Sequence, residues 1–414
     1  GRAEIWRELG DVQREQLEEL SSAIQSYELA LTTDPRSEGS RAGLQSLLRR
    51  PEHRVAVVRV LLAAYVAADD WRLILELTEH RLAAAADEGD GQDDADGTSR
   101  QVAILMEAAR ISEERADDPD AAFALVRRAL LFDPGSERTV AEIFRLADKT
   151  RSWRALADAL RECIDGRDDV AWARGLRFRM GEVLESRLDE PRAALDAFVH
   201  VANQDPTNLD AARAVIRVAG KTTRWDAAAR ALVEATRATN ALDRSLVTAV
   251  EEAAHAATGW DAITFALASL IHDGGGLAPN LARDLEDAIA VWHRDRRGDP
   301  DAAEAAYARA LSHDPSNAAL LAELAKLQRR ARGRPLVDSL LRLSQTTGGD
   351  LDLLGEAAEV AVNSVGDRAL AKSIFDRLLK LAAERWLGAT EPNVLTTGTP
   401  QAPDAYVDRA TREL

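Results

Sequence analysis

The seven histidines and the single cysteine are the residues of this chain that most often carry metal or nucleophilic chemistry. A zinc protease site would need two histidines four residues apart, as in the HExxH pattern, which places both rings on one helix face. No two of the histidines have that spacing. Cys163 cannot form an internal disulfide and is predicted to be a small buried apolar residue. We therefore expect no catalytic residue, no metal and no cofactor.

Two short stretches resemble ligand-binding loops, but both are incomplete. The string GKTTR at 220–224 ends like a phosphate-binding loop, yet the glycine that such a loop needs five residues earlier is Val215. It is predicted to be a turn between helices. The stretch DEGDGQDDADGTS at 87–99 lacks the closing glutamate of an EF-hand calcium loop. It has no apolar anchor and is predicted to be a flexible acidic loop.

Composition and charge exclude further classes of function. The formal net charge of −17 argues against nucleic-acid binding, which requires a basic face. No apolar run reaches the ~18 residues of a membrane span, and the first residues lack the apolar stretch of a signal peptide. We expect a cytoplasmic protein without enzymatic activity. Because the chain begins without Met, it is expected to be a fragment of a longer protein.

A short segment bounded by two prolines occurs three times. The strings DDPDAAFALVRRALLFDP at 117–134, DEPRAALDAFVHVANQDP at 189–206 and GDPDAAEAAYARALSHDP at 298–315 align without gaps. In each, a small, a large and a third apolar residue are spaced i, i+4, i+7, which places them on one helix face. The first proline suits the first turn of a helix, and the second prevents its continuation. Each string therefore predicts one helix between two turns.

A fourth copy lies at the start of the chain, preceded by another helix pattern. Its stripe and closing proline are Ala23, Tyr27, Ala30 and Pro35, and the preceding helix carries Trp6, Leu9 and Gly10. A weaker fifth copy at 366–383 lacks the closing proline. Trp153 and Trp225 each stand 19 residues after a closing proline and begin a further helix. The sequence thus predicts helical hairpins, two of which form a module of about 72 residues.

The first hairpin resembles a tetratricopeptide (TPR) repeat, and the later hairpins are similar to the degenerate TPRs of large bacterial repeat proteins. The resemblance covers roughly residues 3–386. It implies an all-α fold, a right-handed α-α superhelix or solenoid of about ten helical hairpins, with a concave groove lined by the first helices. Two departures stand out. Residues 36–50 are predicted to form an unpaired short helix, and the position of Gly10 in the first hairpin is occupied later by Ala109, Gly181, Ala290 or Ala358, so that only one of the four is glycine.

Four segments are expected along the chain. They are TPR-like hairpins at 1–86, the acidic flexible loop at 87–99, a TPR-like solenoid at 100–386 and an extended tail at 387–414. The tail is rich in Thr, Pro and Gly. It is either a remnant of truncation or a segment that lies in a groove of this chain or of a neighbouring copy.

The TPR resemblance implies a protein–protein interaction scaffold that binds a peptide or a helical segment of a partner in the concave groove. The implied partner-binding side chains are Arg110, Glu114, Glu182, Glu185, Asp287, Arg294, Glu359 and Asn363. The Lys and Asn combination with which TPR clamps hold a C-terminal carboxylate is missing from these positions. We therefore expect a basic or mixed-charge partner segment.

Two alternative functions remain open on the sequence. The chain is a structural spacer or a self-assembly module that associates through its solenoid ends or its tail, or it is the regulatory arm of an enzyme whose catalytic domain lies elsewhere. Apolar residues near one terminus, Ile5, Trp6 and Leu9, favour either excision from a longer protein or self-association, because a free solenoid end normally carries a polar capping helix.

Overall fold

The computed structural model describes residues 1–87, 94–167, 171–273 and 276–389, and within these ranges the chain forms helices and turns without any strand. The all-α class predicted from the sequence is confirmed. Two compact units divide the chain, Gly1–Ala197 and Phe198–Leu414.

The first unit consists of helices that pack mainly on their neighbours in sequence, as α1 does on α2 and α7 on α8. Its helices are α1 (Arg2–Glu15), α2 (Leu20–Thr33), α3 (Glu38–Leu47), α4 (Pro51–Ala67), α5 (Trp71–Glu76), α6 (Thr78–Asp87), α7 (Asp94–Glu114), α8 (Pro119–Phe132), α9 (Glu137–Thr150), α10 (Trp153–Ile164), α11 (Ala171–Ser186) and the first part of α12 (Pro191–Gln204).

The second unit repeats this arrangement, with α13 against α14 and α17 against α18. After the end of α12 its helices are α13 (Leu209–Thr222), α14 (Trp225–Thr239), α15 (Arg244–Ala256), α16 (Trp260–Asp273), α17 (Pro279–Trp292), α18 (Pro300–His313), α19 (Ala318–Gln328), α20 (Arg334–Thr346), α21 (Leu351–Val360) and α22 (Arg368–Ala389). Two π-helical segments, His293–Arg297 and Ala361–Val365, extend α17 and α21.

The three repeated strings form α8, α12 and α18, each of which begins at the first proline and ends just before the second Asp-Pro pair. The polar residue two positions after each closing proline caps the next helix. The side chains of Ser136, Asn208 and Asn317 accept hydrogen bonds from backbone N–H groups three residues later, at 3.3, 3.0 and 3.2 Å. Local sequence therefore determines where these helices begin and end.

Three sequence predictions change in detail. The acidic loop expected at 87–99 does not include 87 or 94–99, because α6 ends at Asp87 and α7 begins at Asp94; acidic residues favour the first turn of a helix. Residues 88–93 lie outside the described residues. Helix α22 continues through 387–389, where the tail was expected to begin, and 390–414 lie outside the described residues. The short helix expected at 36–50 is α3, but it is not unpaired, since it packs on α1, α2 and α4.

Two other predictions are confirmed. The GKTTR string forms the end of α13 and the turn before α14. Cys163 is fully buried, and burial raises the pKa of its thiol to about 11, which keeps the sulfur protonated and unreactive at neutral pH. Within the described ranges, no helix combines the length and the apolarity that a membrane crossing requires.

A turn with left-handed backbone recurs between the two helices of a hairpin, 17 residues after each closing proline, and it is occupied by Arg151, Thr223 and Arg332 with φ of 57°, 57° and 46°. Glycine adopts this conformation without steric cost, whereas a β-branched residue is strained there. Replacing Thr223 by glycine is expected to raise the free energy of unfolding by about 0.5–1 kcal/mol. Urea denaturation will measure this change in the free energy of unfolding.

The neighbouring threonine provides the control for this prediction. Thr222 is the last residue of α13, so Thr222→Gly should lower the free energy of unfolding instead. Equal destabilisation by both glycines would contradict the strain at Thr223.

Candidate partner-binding groove

An open groove of about 770 Å³ lies between α7 and α9, which are the first helices of two successive hairpins. Its lining combines two apolar side chains with charged side chains of both signs. The lining residues are Met106, Arg110, Glu113, Glu114, Arg138, Ala141, Glu142, Arg145 and Lys149. This is the position at which the TPR resemblance places a partner-binding surface.

Glu113 of α7 holds the two walls together. It accepts hydrogen bonds from Nη1 of Arg145 at 3.0 Å and from Nζ of Lys149 at 2.9 Å, both on α9. These hydrogen bonds, that of Arg145 above all, lower the pKa of Glu113 to about 2. The carboxylate is therefore ionised at any pH at which the protein is expected to function.

Arg145 also bonds to Glu142 one turn earlier, at 3.0 Å from Nε and 2.7 Å from Nη2. The hydrogen bonds to Glu142 and Glu113 raise the pKa of Arg145, so its charge is permanent. On the opposite wall, Arg110 and Glu114 form a looser pair at 3.9 Å. The exposed side chain of Arg138 has no hydrogen bond or ion pair within the described part of the chain.

The low pKa of Glu113 predicts a pH dependence of stability. A carboxyl group whose pKa is lower in the folded state stabilises the fold above its unfolded pKa, here 4.5, and loses that contribution as the pH falls towards 2. Glu113→Gln should therefore lower the free energy of unfolding by about 1–2 kcal/mol at neutral pH and make it less dependent on pH between 4.5 and 2.

Chemical denaturation at several pH values will measure this effect. Glu114→Gln provides the control, because the Glu114 carboxylate is exposed and only loosely paired. A Glu113→Gln protein with the same pH profile as the unmodified chain would contradict the pairing.

Of the eight side chains predicted to bind a partner, Arg110 and Glu114 line this groove. Asp287 and Arg294 lie at the corresponding junction of the second unit, between α17 and α19. Arg294 donates from Nη1 to Glu323 at 2.7 Å and to the hydroxyl oxygen of Tyr307 at 3.1 Å. Partial burial raises the pKa of Asp287, and the carboxylates of Asp284 and Glu323 raise it further.

The remaining four predicted residues lie on other first helices and do not line the α7–α9 groove. Glu182 and Glu185 are on α11, Glu359 is on α21 and Asn363 is in the second π-helical segment. Their contact with a partner stays a prediction.

Sequence reasoning missed most of the charged lining, although the repeat contained a signal for it. Glu142 and Glu323 both stand eight residues after a closing proline, while Arg145 and Lys326 both stand eleven residues after one. Each cation pairs with its glutamate, at 2.7 and 2.6 Å. Extending the repeat comparison beyond the closing prolines would have identified both pairs.

No group of three or more His, Cys, Asp or Glu side chains in the described ranges is arranged to hold a metal ion. The geometry of the α7–α9 groove offers charge and shape rather than a reactive atom.

The packing of the first hairpin carries the TPR pattern. Gly10 of α1 lies directly against the buried ring of Tyr27 in α2, and a Cβ atom at Gly10 would lie 2.7 Å from Cε1 of Tyr27. The Tyr27 hydroxyl donates to Oδ1 of Asp11 at 2.7 Å. The predicted small and large positions, Ala23 and Tyr27, are both completely buried. The packing of this hairpin fits the TPR resemblance of its sequence.

Comparisons with solved structures give low similarity. The chain shows 14% identity and a TM-score of 0.22 to the APC/C hetero-tetramer Cut9-Hcn1, with 100% of this chain and 76% of that chain covered. The TPR domain of P58(IPK) is 14% identical with a TM-score of 0.21, and the match covers 100% of this chain and 98% of that chain. Naa15/Naa10 bound to HypK-THB is 16% identical with a TM-score of 0.23, and the match covers 99% of this chain and 69% of that chain. No protein-family model matches the chain, and no curated protein is significantly similar to it.

Proposed function

We propose that this TPR-like chain is a protein–protein interaction scaffold that binds a peptide or helical segment of a partner in the α7–α9 groove and does no chemistry itself. The observation that carries the proposal is the groove itself. Its volume of about 770 Å³ is within the usual range for ligand sites, and its lining combines the apolar side chains of Met106 and Ala141 with charged side chains.

The two walls are rigid, which supports binding without a large ordering cost. Helix α7 buries Leu105 and Ala108, and helix α9 buries Val140, Ile143 and Leu146. Because both helices are fixed by the core, the groove exists before a partner arrives, and less conformational entropy is lost on binding.

Site-specific crosslinking tests this proposal. A photoreactive amino acid replaces Ala141 in the groove, and in a second protein it replaces Ala124, an equally exposed alanine on α8 outside the groove lining. We expect the Ala141 protein to capture a protein partner that the Ala124 protein does not capture. Equal capture at both positions, or none at Ala141 in an extract where the unmodified chain retains a partner, would contradict groove binding.

A second candidate function, self-assembly, is favoured by an apolar stripe on α1. Ile5, Leu9 and Val12 are 67%, 40% and 39% exposed. The residues at the same repeat positions of α17 are buried, and they are Leu285, Ile289 and Trp292. In α17 this stripe is covered in part by the preceding hairpin, where Trp292 packs on Trp260 and donates to Glu251.

Association through α1 would bury the stripe against a second copy. Light scattering over a concentration series is expected to show dimers or larger species that Ile5→Glu with Leu9→Glu abolishes. A monomer at every concentration would eliminate this candidate and leave the groove proposal unaffected.

A further inference from the structure

We propose that the α7–α9 groove recognises a segment rich in Asp and Glu, so that the partner is an acidic peptide. This inference rests on the proposed function of the groove and specifies the chemistry of its partner. It differs from the basic or mixed-charge partner expected from the sequence alone.

The reason is that the cations of the groove are more exposed to solvent than two of its three carboxylates. The side chains of Glu113 and Glu142 are 15% and 30% exposed, whereas those of Arg145 and Lys149 are 47% and 48% exposed. Arg110 is 67% exposed. A partner that enters the groove therefore meets the guanidinium and ammonium groups first.

The two less exposed carboxylates, Glu113 and Glu142, have few acceptor positions left for a basic partner. Glu113 accepts from Arg145 and Lys149, and both oxygens of Glu142 accept from Arg145. Glu114 is the exception, since it is 61% exposed, but it lies beside Arg110. An additional cation would have to compete with arginine pairs that are already formed.

Several cationic donors in the groove, by contrast, lack an acceptor in the described chain. A guanidinium group has five N–H donors, and none of those of Arg138 is used. Lys149 uses one of its three donors, on Glu113. Carboxylates are the side chains that accept such bonds most strongly, and arginine binds them with two parallel bonds.

The charge of the whole chain makes this arrangement informative. A chain with a net charge of −17 repels acidic peptides in general, so its affinity for one must come from a local cationic site. At physiological salt, charges more than about 8 Å away are largely screened, so the groove's own four cations and three carboxylates dominate there.

Fluorescence anisotropy with two defined probes tests the proposal. The probes are octaglutamate and octalysine peptides, each carrying a neutral dye. We expect octaglutamate to bind at low salt, and we expect Arg138→Ala with Lys149→Ala to weaken that binding at least fivefold. Octalysine should bind elsewhere on the acidic surface, so the same double variant should leave its affinity unchanged or raise it.

Lys326→Ala is the matched control. Lys326 is an exposed lysine paired with a glutamate, as Lys149 is, but it belongs to the second unit. This variant should leave octaglutamate affinity within a factor of two. A cooperative thermal transition in each variant will confirm that it is folded; the double variant should melt at a slightly lower temperature, because Glu113 loses the hydrogen bond from Lys149.

The outcomes separate this inference from the proposed function. Absence of octaglutamate binding, or equal binding to the double variant and the unmodified chain, would overturn the acidic-segment proposal. If the Ala141 crosslinker captured a basic partner segment, groove binding would stand and the acidic preference would be wrong. If it captured nothing specific, the proposed function itself would fail.

Discussion

Gly43→Ala is expected to lower the free energy of unfolding by about 2–3 kcal/mol, because the core at this position has no room for a methyl group. A Cβ atom at Gly43 of α3 would lie 2.5 Å from Cζ and 2.7 Å from the hydroxyl oxygen of Tyr27. The Tyr27 ring is completely buried and cannot move without displacing α1 or α2. Urea denaturation monitored by circular dichroism will measure the loss.

The same helix contains the control for this prediction. Gly39 lies one turn earlier in α3, and a Cβ atom there would meet only the flexible side chain of Arg7. Gly39→Ala should therefore be neutral or stabilise the protein by up to about 1 kcal/mol through helix propensity. In a Tyr27→Leu background the Gly43→Ala penalty should fall below about 1 kcal/mol, since the clashing ring atoms are gone. An undiminished penalty would show that the ring is not the cause.

Arg309→Met is the second substitution with a large expected effect. Arg309 of α18 donates from Nε to Oε1 of Glu286 at 2.9 Å, and the Glu286 side chain is only 3% exposed. Without Arg309 the carboxylate remains buried and uncompensated. Because Arg309 is itself partly exposed, we expect a loss of about 3 kcal/mol, at the lower end of the range for broken buried pairs.

The repeat provides a matched control for the burial argument. Arg128 stands at the same repeat position of α8 and pairs with Glu79, which is 67% exposed. The two arginines are equally exposed, at 42%. Arg128→Met should therefore cost less than about 1 kcal/mol, as surface pairs do. Adding Glu286→Leu to Arg309→Met should restore most of the lost stability, and equal losses for the two arginine variants would contradict the argument.

The fold was readable from the sequence because its signals are local. Proline at the start of α8 and α18, the caps Ser136 and Asn317, and the apolar stripe between them act within one or two helical turns. The TPR pattern around Gly10 and Tyr27 was readable for the same reason, since each residue type fits a fixed position in a hairpin. The helix at 94–99 was missed because an acidic, glycine-containing stretch is typical of both loops and helix starts.

The candidate site was predictable only in part. The first helix of each hairpin was expected to line the groove, and Arg110 and Glu114 do line it. The α9 wall was missed, because its charged side chains were assigned no role when the helices were considered one at a time. Glu113 was assigned no role from the sequence, yet it is the carboxylate that joins the two helices.

The sequence by itself determined the helices, their turns and the hairpin repeat, because backbone capping, proline and side-chain periodicity act over short distances along the chain. Only the tertiary structure decided which charges are paired and which face solvent. Glu113 and Arg145 are 32 residues apart and meet because two hairpins stack. Solvent exposure depends on that stacking, so the cationic character of the groove could not be derived from a composition with a net charge of −17.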